Sequence, residues 1–170
     1  MGVLFSGTIE SNIKYGDYKI DDSQMMKAAQ IAQASEFINQ KEDKYKSTIA
    51  QSGTNVSGGQ KQRLSIARAI SKNPEIYIFD DSFSALDFKT DKALRAALNE
   101  YTKDSTVVIV TQRISTILHA DKIIVLDDGK IVGIGKHDEL LDTCKVYKEI
   151  AVSQLSEEEL NKKNVNKNKR

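Results

Sequence analysis

The chain has 170 residues, 39% of them hydrophobic, 29% charged and only one of them proline, a composition that fits one ordinary globular domain with enough length to bury a core. Its 25 basic and 24 acidic side chains leave a net charge of +1, so no overall positive field points to nucleic acid. That balance hides an asymmetry: residues 162–170, KKNVNKNKR, carry five basic and no acidic side chains, which leaves 20 basic against 24 acidic, a net −4, on the rest. No apolar run approaches the roughly 18 residues needed to span a bilayer, and Met1 is not followed by a signal-peptide pattern. The single cysteine, Cys144, cannot form an internal disulfide and is expected to stay reduced in a cytosolic compartment.

The opening LFSGTIESNI mixes a turn at Gly7 with a short helical start for which Thr8 is an acceptable cap. Asp21, Asp22 and Ser23 offer caps for a helix through QMMKAAQIAQASEFI, where Met25, Ala28, Ala29 and Ala32 share one face. A polar, lysine-rich connection, KEDKYKST, leads to IAQSGTNVSGGQ. From Gln60 the pattern is helical again, with Leu64, Ala67 and Ile70 on one side, and Asn73-Pro74 ends it. The period then changes. IYIF at 76–79 is a continuous apolar run followed by two aspartates, the pattern of a strand buried on both faces of a parallel sheet. DKALRAALNEY is helical and TVVIV at 106–110 is a second buried strand, so the order is βαβ and the fold class is α/β. KIIVLDDGKIVGIG reads as a hairpin turning at Asp128-Gly129, and HDELLDT and KVYKEIAVSQL as short closing helices. From about Ser156 the chain is charged and Asn/Lys-rich, which predicts fraying or disorder. There is no internal repeat.

Residues 55–63, NVSGGQKQR, place paired glycines directly before a helix. Unpaired backbone N–H groups and the positive end of the helix dipole make such a start a ready anion site. No GxxxxGK[ST] loop occurs in these residues to hold a nucleotide's phosphates. SGGQ alone is weak, and IYIFDD alone could be any buried strand ending in polar residues. Together with SALD at 84–87 and TQRIST at 111–116, in that order, the set becomes specific. It resembles the nucleotide-binding domain of ABC transporters from Gly2 to about Leu160, with LFSGTIESNI and SGTNVSGGQKQRLSIARAI looking most like the exporter branch.

The resemblance implies an incomplete P-loop NTPase fold of the ABC ATPase kind. A helical signature subdomain would occupy residues 1–73, the C-terminal part of a RecA-like parallel sheet residues 74–155, and a charged tail residues 156–170. It implies ATP and Mg²⁺ as cofactors. The signature residues Ser57, Gly58 and Gly59, with Gln60, would meet a γ-phosphate, glycine being needed because a Cβ would keep the backbone from close approach. Asp80 matches the Walker B aspartate that holds Mg²⁺. Asp81 stands where the family places its general base, normally glutamate. Residues Ser84 to Asp87 resemble the D-loop, which crosses to the partner domain, and Gln112 takes the place of the switch histidine.

Two of these positions depart from the family pattern. Aspartate is one methylene shorter than glutamate, a retreat of about 1.5 Å, which is large for a base that must lie within about 3 Å of its water. Gln112 keeps a hydrogen-bonding end but cannot carry charge. One reading is drift in a working ATPase. The other is joint relaxation of both catalytic positions beside an intact signature, as in the weak-site half of a heterodimeric exporter. In the family two such domains bind head to tail, each signature facing ATP seated on the other chain. The partners implied are therefore a second nucleotide-binding domain on a different chain and a transmembrane domain, at the cytoplasmic face of the membrane, with no nucleic acid. The family's Walker A loop, adenine-stacking aromatic and membrane-spanning half would precede Met1, so the chain is expected to be a fragment or a relic, inactive alone. Competing classes are a chromosome-maintenance or DNA-repair ATPase, which would show coiled-coil heptads that are absent here, and a non-enzymatic remnant. His119 and His137 read as surface residues, and Met25 and Met26 as core fillers. Gln51 sits in IAQSG, where the exporter loop senses the membrane domain, and is either a coupling contact or an ordinary loop residue. The basic tail reads as solvated, with anionic lipid as the alternative.

Overall fold

The computed structural model describes residues 2–156, which form two compact units that part between Val110 and Thr111. The boundary at 73/74 expected from the motifs falls inside the first unit, because the elements on either side of it share one apolar cluster.

In the first unit, strand β1 (Gly7–Thr8) runs into helix α1 (Ile9–Ile13), with Thr8 as the N-cap in a capping box with Ser11. The buried side chain of Asn12 clamps this opening: Phe5 N–H donates to its Oδ1 at 2.9 Å, and its Nδ2 donates to Phe5 and Thr8 carbonyls at 2.8 and 3.0 Å. Helix α2 (Asp22–Ile31) starts on an Asp21 cap, and Met25, Ala28, Ala29 and Ala32 are all buried as their shared face requires. The helix predicted through residue 38 is broken. Gln33 adopts φ 57°, its N–H donates to Gln30 and that of Ala34 to Ala29, so α2 closes in a Schellman turn and a separate α3 (Ser35–Asn39) follows. Met26, expected in the core, is 47% exposed. The lysine-rich connection contains a short 3₁₀ turn at Lys44–Lys46 and strand β2 (Thr48–Ile49), which pairs antiparallel with β1.

Helix α4 (Gly58–Ser71) begins two residues earlier than its apolar period suggests. It buries Leu64, Ile66, Ala67 and Ile70 against α1 and α2, where the small alanines of α2 allow close approach. Fully burying a side chain such as Leu64 contributes about 1.5–3 kcal/mol. Strand β3 (Ile76–Asp80) and strand β4 (Thr106–Val110) pair in parallel, from Ile76 opposite Thr106 to Asp80 opposite Val110, joined through helix α5 (Phe88–Tyr101). The expected βαβ unit is present, but β3 is buried on one face only. Tyr77 and Phe79 are each 2% exposed, whereas Ile76 and Ile78 on the other face are 59% and 70% exposed. No described element covers that face, so a pattern suited to two-sided burial meets only one-sided burial.

The second unit contains α6 (Ile114–Ile117), the hairpin β5 (Ile123–Asp127) and β6 (Lys130–Gly135), and the helices α7 (His137–Thr143) and α8 (Lys145–Gln154). Asp128 and Gly129 turn the hairpin with φ 45° and 72°, the left-handed pair that a tight turn with positive φ at both central residues demands. Its core gathers Ile114, Ile123, Val125, Leu140, Cys144, Tyr147 and Ala151. Cys144 is a buried free thiol. His137 is half-buried, its Nδ1 2.8 Å from the Tyr147 hydroxyl, while His119 is exposed. The expected disordered tail lies outside the described residues from position 157 on. Among the described residues no helix is long and apolar enough to cross a membrane.

Candidate functional site

The candidate site grows from the N-terminus of α4. Ser57 is its N-cap: the Ser57 Oγ accepts from Gln60 N–H at 3.2 Å, and the Ser57 N–H donates to Gln60 Oε1 at 3.1 Å. This reciprocal box satisfies two donors that would otherwise be orphaned. It also turns the Gln60 side chain back onto the cap. Ser57 and Gly58 are exposed, so the first turn of a fourteen-residue helix opens to solvent with amide N–H groups and the helix dipole pointing outward.

A second reason for glycine at 59 emerges from the packing. A Cβ there would lie 3.1 Å from the carbonyl oxygen of Ala85, within the SALD segment, and a backbone atom gives way less easily than a side-chain end. At Gly58 the same atom would meet the Ala85 methyl at an ordinary 3.7 Å. The Ser57–Gly59 turn thus rests on the loop that follows β3.

That loop is densely tied. The side chain of Gln62, a buried residue one turn into α4, donates to the Asp81 carbonyl at 3.3 Å and the Ser84 hydroxyl at 3.2 Å, and accepts from Ala85 N–H at 2.9 Å. Asp80 ends β3, and Asp81 follows in the left-handed region with φ 45°, its N–H donating to the Val110 carbonyl at 2.9 Å. Both aspartates are exposed. Asp87 caps α5, its carboxylate accepting from Thr90 N–H at 2.9 Å. That backbone hydrogen bond, then the Thr90 side chain, holds the Asp87 carboxyl below its ordinary range.

The first unit therefore gathers Ser57, Gly58, Gly59, Gln60, Asp80, Asp81 and Asp87 on α4, the end of β3 and the loop into α5. Gln112 belongs to the second unit. It is exposed, and its carbonyl accepts from Gln154 Nε2 at 2.8 Å while Gln154 Oε1 accepts from Ile114 N–H at 3.0 Å, so one α8 side chain holds the segment from 112 to 114. Gln51 is exposed in a 3₁₀ turn, Gln51–Gly53, braced by the Asn55 side chain, which accepts from Ala50 N–H and donates to the Thr48 carbonyl.

Three supporting residues escaped the motif reading. Gln62 stood on the apolar stripe with Ile66 and Ile70, a polar residue at a core position and so a legible signal. Gln154 had none. Arg63 donates to the Gln33 carbonyl at 2.7 Å and stacks over Phe37 at 4.8 Å, completing a turn that sequence periodicity hid.

Comparison with known proteins agrees with these elements. The family model for the ABC transporter matches residues 3–84. An uncharacterized ABC transporter ATP-binding protein of Mycobacterium tuberculosis is 47% identical over 154 residues, which covers 89% of this chain and 26% of that protein. The ATP-dependent lipid A-core flippase of Saccharophagus degradans is 42% identical, covering 91% of this chain and 26% of its own length. A bacterial Atm1-family ABC exporter solved with ATP bound superposes with a TM-score of 0.87 at 35% identity, covering 92% of this chain and 27% of that one. The chain belongs to the ABC transporter family, as part of an ATP-binding domain homologous to those of ABC exporters. It spans about a quarter of the length of the curated relatives it matches.

Proposed function

We propose that this chain is the signature-bearing part of an ATP-binding cassette in a membrane exporter, lying at the cytoplasmic face and coupling ATP binding and hydrolysis to transport. The observation that carries the reading is the joining of the signature turn at Ser57–Gly59 to the loop after β3, so that the two motifs the family uses at a dimer interface form one surface. The partner is a second cassette on a different chain, bound head to tail, and a transmembrane domain receives the motion.

ATP with Mg²⁺ fits the donor set. Among the described residues no group of three or more His, Cys, Asp or Glu could hold a metal. Mg²⁺ characteristically takes only one or two carboxylates and completes its shell with phosphate oxygens and water. Asp80 would be that carboxylate, and bound Mg²⁺–ATP supplies the phosphoryl group for transfer to water. The Ser57 hydroxyl and the amides of Gly58 and Gly59 would bind phosphate oxygens of the nucleotide the partner carries. Asp81 would take the place of the general base toward the attacking water, and Gln112, in the second unit, would stand in place of the switch histidine with an uncharged amide.

Asp81 is short for a general base and Gln112 is uncharged, so this half contributes an intact signature to the partner's competent site and a weak site of its own. ATP turnover of the full-length transporter with its partner chain, reconstituted in lipid, tests both levels. Asp81→Glu combined with Gln112→His should raise turnover on the order of tenfold, a fraction of what a positioned base supplies. No ATP turnover in the unaltered complex would sink the cassette reading, and turnover without a gain in the variant would sink only the weak-site reading.

A further inference from the structure

Gln62 makes no hydrogen bond within its own helix through its side chain. It is 5% exposed on the buried face of α4, and all three of its side-chain bonds reach residues 19 to 23 positions away. Asp81 is consequently held from two sides. Its N–H donates to Val110 at the end of β4, and its carbonyl accepts from Gln62 at 3.3 Å and from Ser84 Oγ at 3.1 Å. The same Gln62 amide takes the N–H of Ala85, whose own carbonyl backs Gly59. A closed circuit results: signature turn, first turn of α4, loop 81–85, and back to the signature.

We propose that Gln62 is a positioning residue, its buried amide locking loop 81–85 to the helix that begins with the signature so that the Asp81 backbone and the signature glycines keep one spacing. The catalytic consequence rests on the cassette reading above, whereas the anchoring itself does not. A side chain needed only for volume could be replaced by methionine, which has the same length and no hydrogen-bonding end. One needed for its bonds could not. Glutamate separates the two halves of the amide, because it keeps an acceptor for Ala85 N–H and loses the donor to Asp81 and Ser84. With the loop loosened, the signature loses its backing and the reacting groups lose register. Misplacement by about 1 Å costs rate rather than binding, up to roughly a hundredfold.

The experiment uses the full-length transporter with its partner chain, in wild-type, Gln62→Met and Gln62→Glu forms. Amide hydrogen exchange is followed in segments 81–88 and 64–71, and ATP turnover in parallel. In Gln62→Met the exchange of segment 81–88 should quicken about tenfold or more while segment 64–71 stays protected, and kcat should fall about tenfold with KM for ATP within roughly twofold. Gln62→Glu should retain slow exchange at Ala85. Unchanged exchange in segment 81–88 of Gln62→Met overturns the anchoring, and so does equal quickening of both segments, which is the mark of general loosening. Quickened exchange with unchanged kcat overturns the catalytic consequence. If the unaltered complex turns over no ATP, the cassette reading fails and the exchange data alone decide whether Gln62 holds the loop.

Discussion

Asp87 shows how one hydrogen bond both starts a helix and favours an ionised carboxylate. It caps α5 through Thr90 N–H, and that bond favours the ionised form. The sign of its pH dependence follows. A carboxyl whose folded value lies below the unfolded one contributes stability that is in place above the unfolded pKa, about 4, and is lost as the pH falls through the folded value. Asp87→Asn keeps a capping oxygen without the proton equilibrium. Urea midpoints between pH 7 and pH 2.5 should therefore fall less steeply on the acid side for Asp87→Asn than for wild type, and identical acid slopes would refute this. Asp81 illustrates a different residue-level constraint. Its φ of 45° is a region that aspartate tolerates better than most side chains, so the position accepts its occupant locally.

Among the elements, α4 carries most of what the first unit needs. Its inner stripe, Leu64, Ala67 and Ile70, was legible from spacing, whereas the sequence pattern began the helix at Gln60 and did not mark Ser57 as its cap. Leu64 is fully buried in the centre of that stripe. Leu64→Ala should cost about 2–5 kcal/mol, transfer plus residual cavity, measured as the shift in urea unfolding. A loss below about 1 kcal/mol would mean that α4 is not the packing centre described here. The break between α2 and α3 was not legible, since QASEFI continues the helical period and a left-handed residue that is not glycine leaves no mark in the sequence. What stabilises it is remote: the Arg63 guanidinium, thirty residues on, donates to the Gln33 carbonyl at 2.7 Å. The pairing of β1 with β2 was missed for a related reason, because two-residue strands are too short to show a period. Tyr77 on β3 is buried where its neighbours on the opposite face are not, and burial pushes its phenol up to about 12.

At the scale of the whole molecule the described sheets are three separate pairs, β1 with β2, β3 with β4, and β5 with β6. Ile76, Ile78, Val108 and Val110 lie 44–70% exposed on one pair, and Ile124, Leu126, Ile131 and Ile134 are 54–65% exposed on another. Strand edges and apolar faces of this kind recruit further strands. The 170-residue chain by itself should therefore self-associate, seen as concentration-dependent sedimentation, and should bind ATP–Mg²⁺ far more weakly than micromolar by calorimetry. A stable monomer with micromolar ATP affinity would overturn both expectations. The same exposed faces account for the one-sided burial of β3: the apolar run encodes two buried faces, and the described residues supply a cover for one.

The sequence by itself determined the local chemistry. The caps at Thr8 and Asp21, the apolar stripe of α4, the βαβ order, the Asp128-Gly129 turn and the family motifs are all set by neighbours within a few positions, and their signals are local. Only the tertiary structure decided what Gln62 holds, that a Cβ at Gly59 would press on the Ala85 carbonyl, and where α2 stops. Those outcomes depend on contacts between residues some twenty or more positions apart, and a period or a motif carries no record of which distant carbonyl a side chain will reach.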